Sequence, residues 1–87
     1  MLNKFPILDI DTITTNKELE KLQEEVNEFI EATENNDIDN MREEFFDTIQ
    51  VLLNVMDRYG LLDDLENDLD VHVDKLIKRG WEINKYI

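Results

Sequence analysis

The sequence contains no cysteine, a single proline, two glycines and few basic residues. The absence of cysteine excludes disulfide bonds and thiolate metal sites, and it fits a reducing compartment. Scarce glycine and proline indicate a helical chain with few tight turns. No apolar run approaches the length of a membrane span, and the N-terminus lacks the basic-then-apolar pattern of a signal peptide. We therefore expect a cytoplasmic protein with no membrane contact.

Charge is strongly one-sided: 22 acidic residues against 9 basic ones give a net charge of -13. A chain with this excess of acids should not bind the backbone of nucleic acids. The excess leaves three interpretations open: a solvated acidic surface, bound cations that neutralise part of the charge, or an acidic surface that imitates DNA. With 87 residues the chain forms one domain at most. A domain of this size buries about 60–65% of its surface, so oligomerisation is one source of further stability.

The first part of the chain predicts a non-helical arm over residues 1–14, followed by a helical domain over residues 15–87. Pro6 interrupts any early helix, and the apolar residues of the arm are expected to pack across helices of the same chain or of a partner. The Thr-x-x-Glu form of Thr15 to Glu18 is that of a capping box, so the first helix begins there. Four acids of this helix are predicted to face solvent: Glu18, Glu24, Glu31 and Glu34.

The second predicted helix runs from Ile38 or Asp39 to Tyr59, after a turn at residues 35–37. It carries more apolar surface than one neighbouring helix can cover, and a second subunit is the simplest cover. Gly60 follows at the position of a left-handed C-terminal cap.

A third helix is predicted to begin at a cap formed by Asp63 or Asp64 and to end at Gly80. Residues 81–87 form a tail. His72 is the single histidine and lacks partner histidines or cysteines, so zinc is a poor candidate. The sequence also lacks a glycine-rich phosphate loop.

Two pairs of acids stand out: Glu25 with Glu28, and Glu44 with Asp47. Residues three apart share one face of an α-helix, so each pair aims two carboxylates the same way. If the two helices fold back antiparallel, four carboxylates can converge, and such a group needs a positive charge between its members. Oxygen ligands suit a hard cation, above all Mg²⁺. The alternative is an acidic face that is simply solvated.

The pattern Glu24-Glu25-x-x-Glu28 followed by Glu43-Glu44-x-x-Asp47 resembles the MazG-like, all-α nucleoside triphosphate pyrophosphohydrolase superfamily. The signature of that superfamily is Glu-x-x-Glu, a spacer, and then Glu-x-x-Asp. An apolar run follows Asp47, as in the second motif helix of the superfamily. The resemblance covers residues 16–80, which is most of the chain.

The resemblance implies an all-α fold, an antiparallel helical bundle of about three helices per subunit, completed by oligomerisation into a homodimer or homotetramer. It implies cleavage of (deoxy)nucleoside triphosphates to the monophosphate and pyrophosphate, with Mg²⁺ as cofactor and Mn²⁺ as a substitute. Carried over by position, the metal ligands and catalytic residues are Glu25, Glu28, Glu44 and Asp47. One of the glutamates would act as general base.

Further polar and aromatic residues are candidates for substrate binding: Asn54, Lys75, Lys78, Arg79 and Trp81. Each has a structural alternative. The amide could serve helix packing, the basic cluster could stabilise a helix C-terminus through its dipole, and the indole could close a core or an interface.

Two other functions compete with the enzyme. One is a non-enzymatic acidic helical interaction protein, which binds a partner or mimics DNA. The other is a plain dimerisation module, in which loss of Glu25 or Glu44 is tolerated. Specific stabilisation by Mg²⁺ separates the enzyme from both.

Overall fold

The computed structural model describes residues 4–87, so the first three residues of the predicted arm lie outside the described residues. The chain forms three helices: α1 (Thr15–Glu34), α2 (Ile38–Arg58) and α3 (Leu65–Lys78). Residues 4–87 contain no strand, which confirms the all-α class. Within this part of the chain, no helix is both long enough and apolar enough to cross a membrane.

The start of α1 differs from its predicted cap by one residue. Helix α1 begins at Thr15 as expected, but Thr14 is the N-cap, and its Oγ1 accepts a hydrogen bond from the Lys17 N–H at 3.2 Å. The predicted box with Thr15 as its cap is therefore wrong. The predicted and observed cap positions differ because Thr14 and Thr15 are adjacent, and the hydroxyl of either can accept the capping hydrogen bond. Glu18, which the predicted capping box assigns to the helix cap, is instead buried, with 3% of its surface exposed.

All three helices end in a Schellman motif, with a left-handed residue just past the last turn. Gly60 (φ 69°) and Gly80 (φ 88°) occupy this position after α2 and α3, as the sequence predicts, and Asn36 (φ 54°) occupies it after α1. After α2, the Gly60 N–H donates to the carbonyl of Asp57 and the Leu61 N–H to that of Met56, both at 2.9 Å. These bonds satisfy carbonyls that the helix leaves free.

Helices α1 and α2 pack against each other as a hairpin. The buried residues on the two helices are Glu18 and Ala32 on α1, with Val51 and Asn54 on α2. Apolar residues at helical spacing form a stripe along α1, and three of its members are exposed: Leu19, Val26 and Ile30. The hairpin therefore uses the edge of the stripe that carries the acids.

The N-terminal arm lies along α2 of its own chain and is held there by side chains of α2. Asn54 Oδ1 accepts a hydrogen bond from the Leu8 N–H at 3.1 Å, and Gln50 Nε2 donates to the carbonyl of Pro6 at 2.7 Å. Arg58 donates to the carbonyls of Ile10 and Ile13 and, at 3.1 Å, to Thr15 Oγ1. The arm thereby ties the far end of α2 to the start of α1.

Helix α3 makes no close contact with α1 or α2 in the described chain. Its apolar side chains include Leu69 and Ile77, each 54% exposed. Within one subunit the packed bundle is thus the α1–α2 hairpin, and α3 stands apart from it.

Candidate metal centre

Three carboxylates converge on one point of the α1–α2 hairpin. Glu25 and Glu28 are one turn apart on α1, and Glu44 faces them from α2. One oxygen of each lies within 4.8 Å of the corresponding oxygens of the other two. We call this group the carboxylate cluster. It joins the first acidic pair predicted from the sequence to one member of the second.

The cluster changes the acidity of its central member. Hydrogen bonding to the Glu25 side chain raises the pKa of Glu44 from 4.5 to about 8. Burial and hydrogen bonding to Glu28 act in the same direction, as do the negative charges of Glu25 and Glu28. Carboxylates placed this close cannot all be charged without a compensating cation, so the metal-free cluster holds a proton at neutral pH.

The cluster also has free acceptor capacity. When the three carboxylates are all charged, the buried Oε2 atoms of Glu25 and Glu44 have no hydrogen-bond donor among residues 4–87. The two ion pairs in this part of the chain, Lys17 with Glu20 and Arg42 with Asp39, do not involve the cluster. Buried carboxylate oxygens without a donor or a cation are costly, and a hard divalent cation satisfies them. The residues present therefore fit a hard divalent cation.

A groove of about 300 Å³ opens beside the cluster, toward the loop between α1 and α2. Glu28 and Glu44 form one end of it, and the small buried Ala32 leaves the space. The remaining lining residues are acids and amides: Glu31, Asn35, Asp37 and Asn40. No basic residue lines this groove, so within one described chain a phosphate group would meet negative charge unless cations accompany it.

Asp47, the second acid of the second pair, is exposed. It does not belong to the group of three carboxylates whose oxygens lie within 4.8 Å of one another. Asp47 is three residues after Glu44 and is its neighbour on the surface of α2, but its side chain extends into solvent.

Asn54 lies away from the groove, beneath the N-terminal arm. It is buried, with 3% of its surface exposed. Its Oδ1 accepts from the Leu8 N–H and, at 3.2 Å, from Gln50 Nε2. The structure therefore gives the amide oxygen partners in the N-terminal arm and in α2 itself.

The predicted substrate-binding residues of α3 are not brought to the cluster within one chain. Lys75, Lys78 and Arg79 are exposed at the end of α3, and that helix packs on neither α1 nor α2. Trp81 follows them and is 68% exposed.

Sequence reasoning missed several polar residues inside the hairpin. Glu18 was expected to face solvent but is buried, with its Oε2 lacking a hydrogen-bond partner among residues 4–87. Its spacing of seven residues before Glu25 is the signal that both share a face. Arg58 and Gln50, which hold the arm, gave no such signal, because their partners are backbone carbonyls distant in sequence.

Comparison with known proteins gave one family. The family model of phosphoribosyl-ATP pyrophosphohydrolase matches residues 8–79, a stretch that includes all three carboxylates of the cluster and Asp47. Searches of curated proteins and of solved structures gave no match.

Proposed function

The chain belongs to the phosphoribosyl-ATP pyrophosphohydrolase family, part of the MazG-like all-α superfamily, and on this premise we propose a Mg²⁺-dependent nucleoside triphosphate pyrophosphohydrolase. The family is one of hydrolases that act on phosphoanhydrides. The observation that carries the proposal is the convergence of Glu25, Glu28 and Glu44 from two helices on one point. The substrates proposed are (deoxy)nucleoside triphosphates, including the phosphoribosylated ATP that the family description names.

The proposed reaction attaches the oxygen of water to the α-phosphorus and breaks the bond between that phosphorus and the oxygen bridging to the β-phosphate. The products are the monophosphate and pyrophosphate. Glu25, Glu28 and Glu44 hold the divalent ion, and Asp47 is the fourth ligand proposed from the motif. When bound, Mg²⁺ supplies charge neutralisation and orientation of the triphosphate oxygens. One carboxylate at the site accepts the proton of the attacking water.

The acidic groove supports the need for cations in this proposal. A triphosphate next to Glu28, Glu31 and Glu44 would be repelled in the metal-free state. A divalent cation held by these acids would offset their charge and that of the triphosphate, so the same acids would then favour substrate binding. Specific dependence on a divalent cation is therefore part of the proposed function.

We further propose that the active form is a homodimer or homotetramer. Large apolar side chains are exposed on all three helices, among them Leu19, Phe46, Leu52 and Ile77. Exposed large apolar side chains that lie together are typical of a surface that binds another protein chain. A second subunit would cover it and bring the basic end of an α3 helix toward a cluster that lacks basic residues of its own.

The test is release of pyrophosphate from a panel of nucleoside triphosphates, deoxynucleoside triphosphates and phosphoribosyl-ATP with Mg²⁺. Glu44→Ala should lower the rate by about a hundredfold or more, since changes to the partners of metal ligands alone cost about 10–100-fold. Glu43→Ala is the matched control, because it removes an exposed acid from the same helix. Absence of release from every substrate would refute the enzyme and favour the acidic interaction protein.

A further inference from the structure

We propose that Thr48 is a positioning residue whose hydroxyl holds the Glu25 carboxylate in its metal-binding orientation. The inference rests on the proposed metal site, and Thr48 lies outside the acidic motif. Two observations support the inference. One is the alignment of α1 with α2 in the hairpin, and the other is that buried side-chain oxygens of both helices lack hydrogen-bond partners among residues 4–87.

The register of α1 against α2 places Thr48 beside the cluster. Thr48 lies one turn after Glu44, and residues four apart share a helix face. The two helices are antiparallel, with Arg58 bonded to Thr15 at one end and Glu44 beside both Glu25 and Glu28 nearer the other. Thr48, one turn closer to the Thr15 end than Glu44, therefore lies level with the turn of α1 that ends at Glu25.

The hydroxyl of Thr48 is free to donate. Threonine inside a helix often bonds the carbonyl four residues earlier, as Thr33 does to Phe29 at 2.9 Å. Thr48 Oγ1 is buried and has no hydrogen-bond partner of this or any other kind among residues 4–87. Such a buried, unpartnered hydroxyl destabilises the fold, so its presence at this position calls for a second role.

The acceptors lie in the same part of the hairpin. Besides Thr48 Oγ1, the buried side-chain oxygens without a hydrogen-bond partner among residues 4–87 are Glu18 Oε2, Glu25 Oε2 and Glu44 Oε2, and the last two belong to the carboxylate cluster. A charged carboxylate accepts hydrogen bonds and cannot donate, whereas threonine offers one donor. With a dication held on one oxygen of Glu25, a hydrogen bond from Thr48 to the other oxygen fixes the plane of the carboxylate. Donors of this kind tune metal ligands in many metal sites.

The experiment compares Thr48→Val, which keeps the shape and removes the hydroxyl, with Thr48→Ser, which keeps the hydroxyl. The probe is Mn²⁺, with free ion followed by electron paramagnetic resonance during titration of the full chain. We expect Thr48→Val to weaken binding by about 10–100-fold and Thr48→Ser to stay within about threefold of wild type. In urea without metal, the midpoint for Thr48→Val should equal or exceed that of wild type, because valine removes an unpartnered buried hydroxyl.

Mn²⁺ affinity and urea stability together distinguish a positioning role from a packing role. Only a positioning role lowers the Mn²⁺ affinity of Thr48→Val while its urea midpoint stays equal to that of wild type or rises. Equal Mn²⁺ affinity in wild type and Thr48→Val overturns the inference and leaves the proposed function standing. Joint loss of urea stability and Mn²⁺ affinity in Thr48→Val assigns Thr48 a packing role, which also overturns it. If wild type and Glu44→Gln both fail to bind Mn²⁺, the proposed function fails and the inference fails with it.

Discussion

Replacement of Glu44 by glutamine should change how the stability of the metal-free protein depends on pH. The cluster raises the pKa of Glu44 from 4.5 to about 8, so the folded protein holds this proton more tightly than the unfolded chain does. The stabilisation from that proton is fully present below the unfolded value and is lost as the pH rises through the folded one. Wild type therefore loses stability over this window, and Glu44→Gln, which carries no ionisable group there, does not incur this loss.

The size of the effect follows from the same change in pKa. A rise from 4.5 to about 8 corresponds to an upper limit of about 5 kcal/mol in the free energy of unfolding, at about 1.4 kcal/mol for each pH unit. Glu44 is only partly buried and borders the open groove, so solvent screening reduces the expected effect to about 1–2 kcal/mol.

The assay is urea unfolding followed by far-UV circular dichroism, with a chelator present and one protein concentration throughout. Glu43→Gln is the control, because it removes one exposed charge from the same helix. At about pH 8.5 Glu44→Gln should be more stable than the control by about 1–2 kcal/mol, and the difference should shrink toward about pH 5.5. If the two variants show the same pH dependence, the cluster does not retain a proton and the reasoning is wrong.

Three further predictions follow from the site and the arm. Mg²⁺ or Mn²⁺ at about a hundred times its Kd should stabilise wild type by about 2.7 kcal/mol, seen as a rise in Tm of about 10–20 °C that Glu44→Ala abolishes. Arg58→Ala should lower the free energy of unfolding by about 1–3 kcal/mol, because it removes the donor to Thr15 Oγ1 and to two carbonyl oxygens of the arm. Arg42→Ala is the control, because its ion pair with Asp39 is exposed and its loss should cost about 0.5 kcal/mol or less. Leu52→Asp should shift the sedimentation coefficient toward that of a monomer, while Ile87→Asp should not; unchanged sedimentation of the Leu52 variant would count against the proposed use of that face.

The helices and their ends could be predicted from sequence because their signals are local. Gly60 and Gly80 follow the last turns of α2 and α3, where a Schellman motif requires a left-handed backbone conformation, and both have positive φ in the structure. The cap of α1 was misplaced by one residue because Thr14 and Thr15 offer the same hydroxyl chemistry. Neighbouring residues of the same type leave a cap ambiguous until the backbone geometry is known.

The cluster could be predicted in part. Helical spacing brings Glu25 and Glu28 to one face, and an antiparallel return brings Glu44 to meet them, as the sequence pattern suggested. The inward position of Glu18 could not be anticipated from apolar periodicity, since the hairpin packs on the polar edge of the stripe rather than its centre. The sequence pattern predicts that α3 forms, but it does not encode where α3 lies relative to the α1–α2 hairpin, on which it does not pack.

The most direct test of the metal centre is a crystal of this protein soaked in Mn²⁺ and examined by anomalous diffraction. We expect one or more Mn²⁺ peaks between α1 and α2, with each ion coordinated by oxygens of Glu25, Glu28 and Glu44. Peaks confined to other acidic surfaces, with these three carboxylates free of the ion at saturating Mn²⁺, would contradict it.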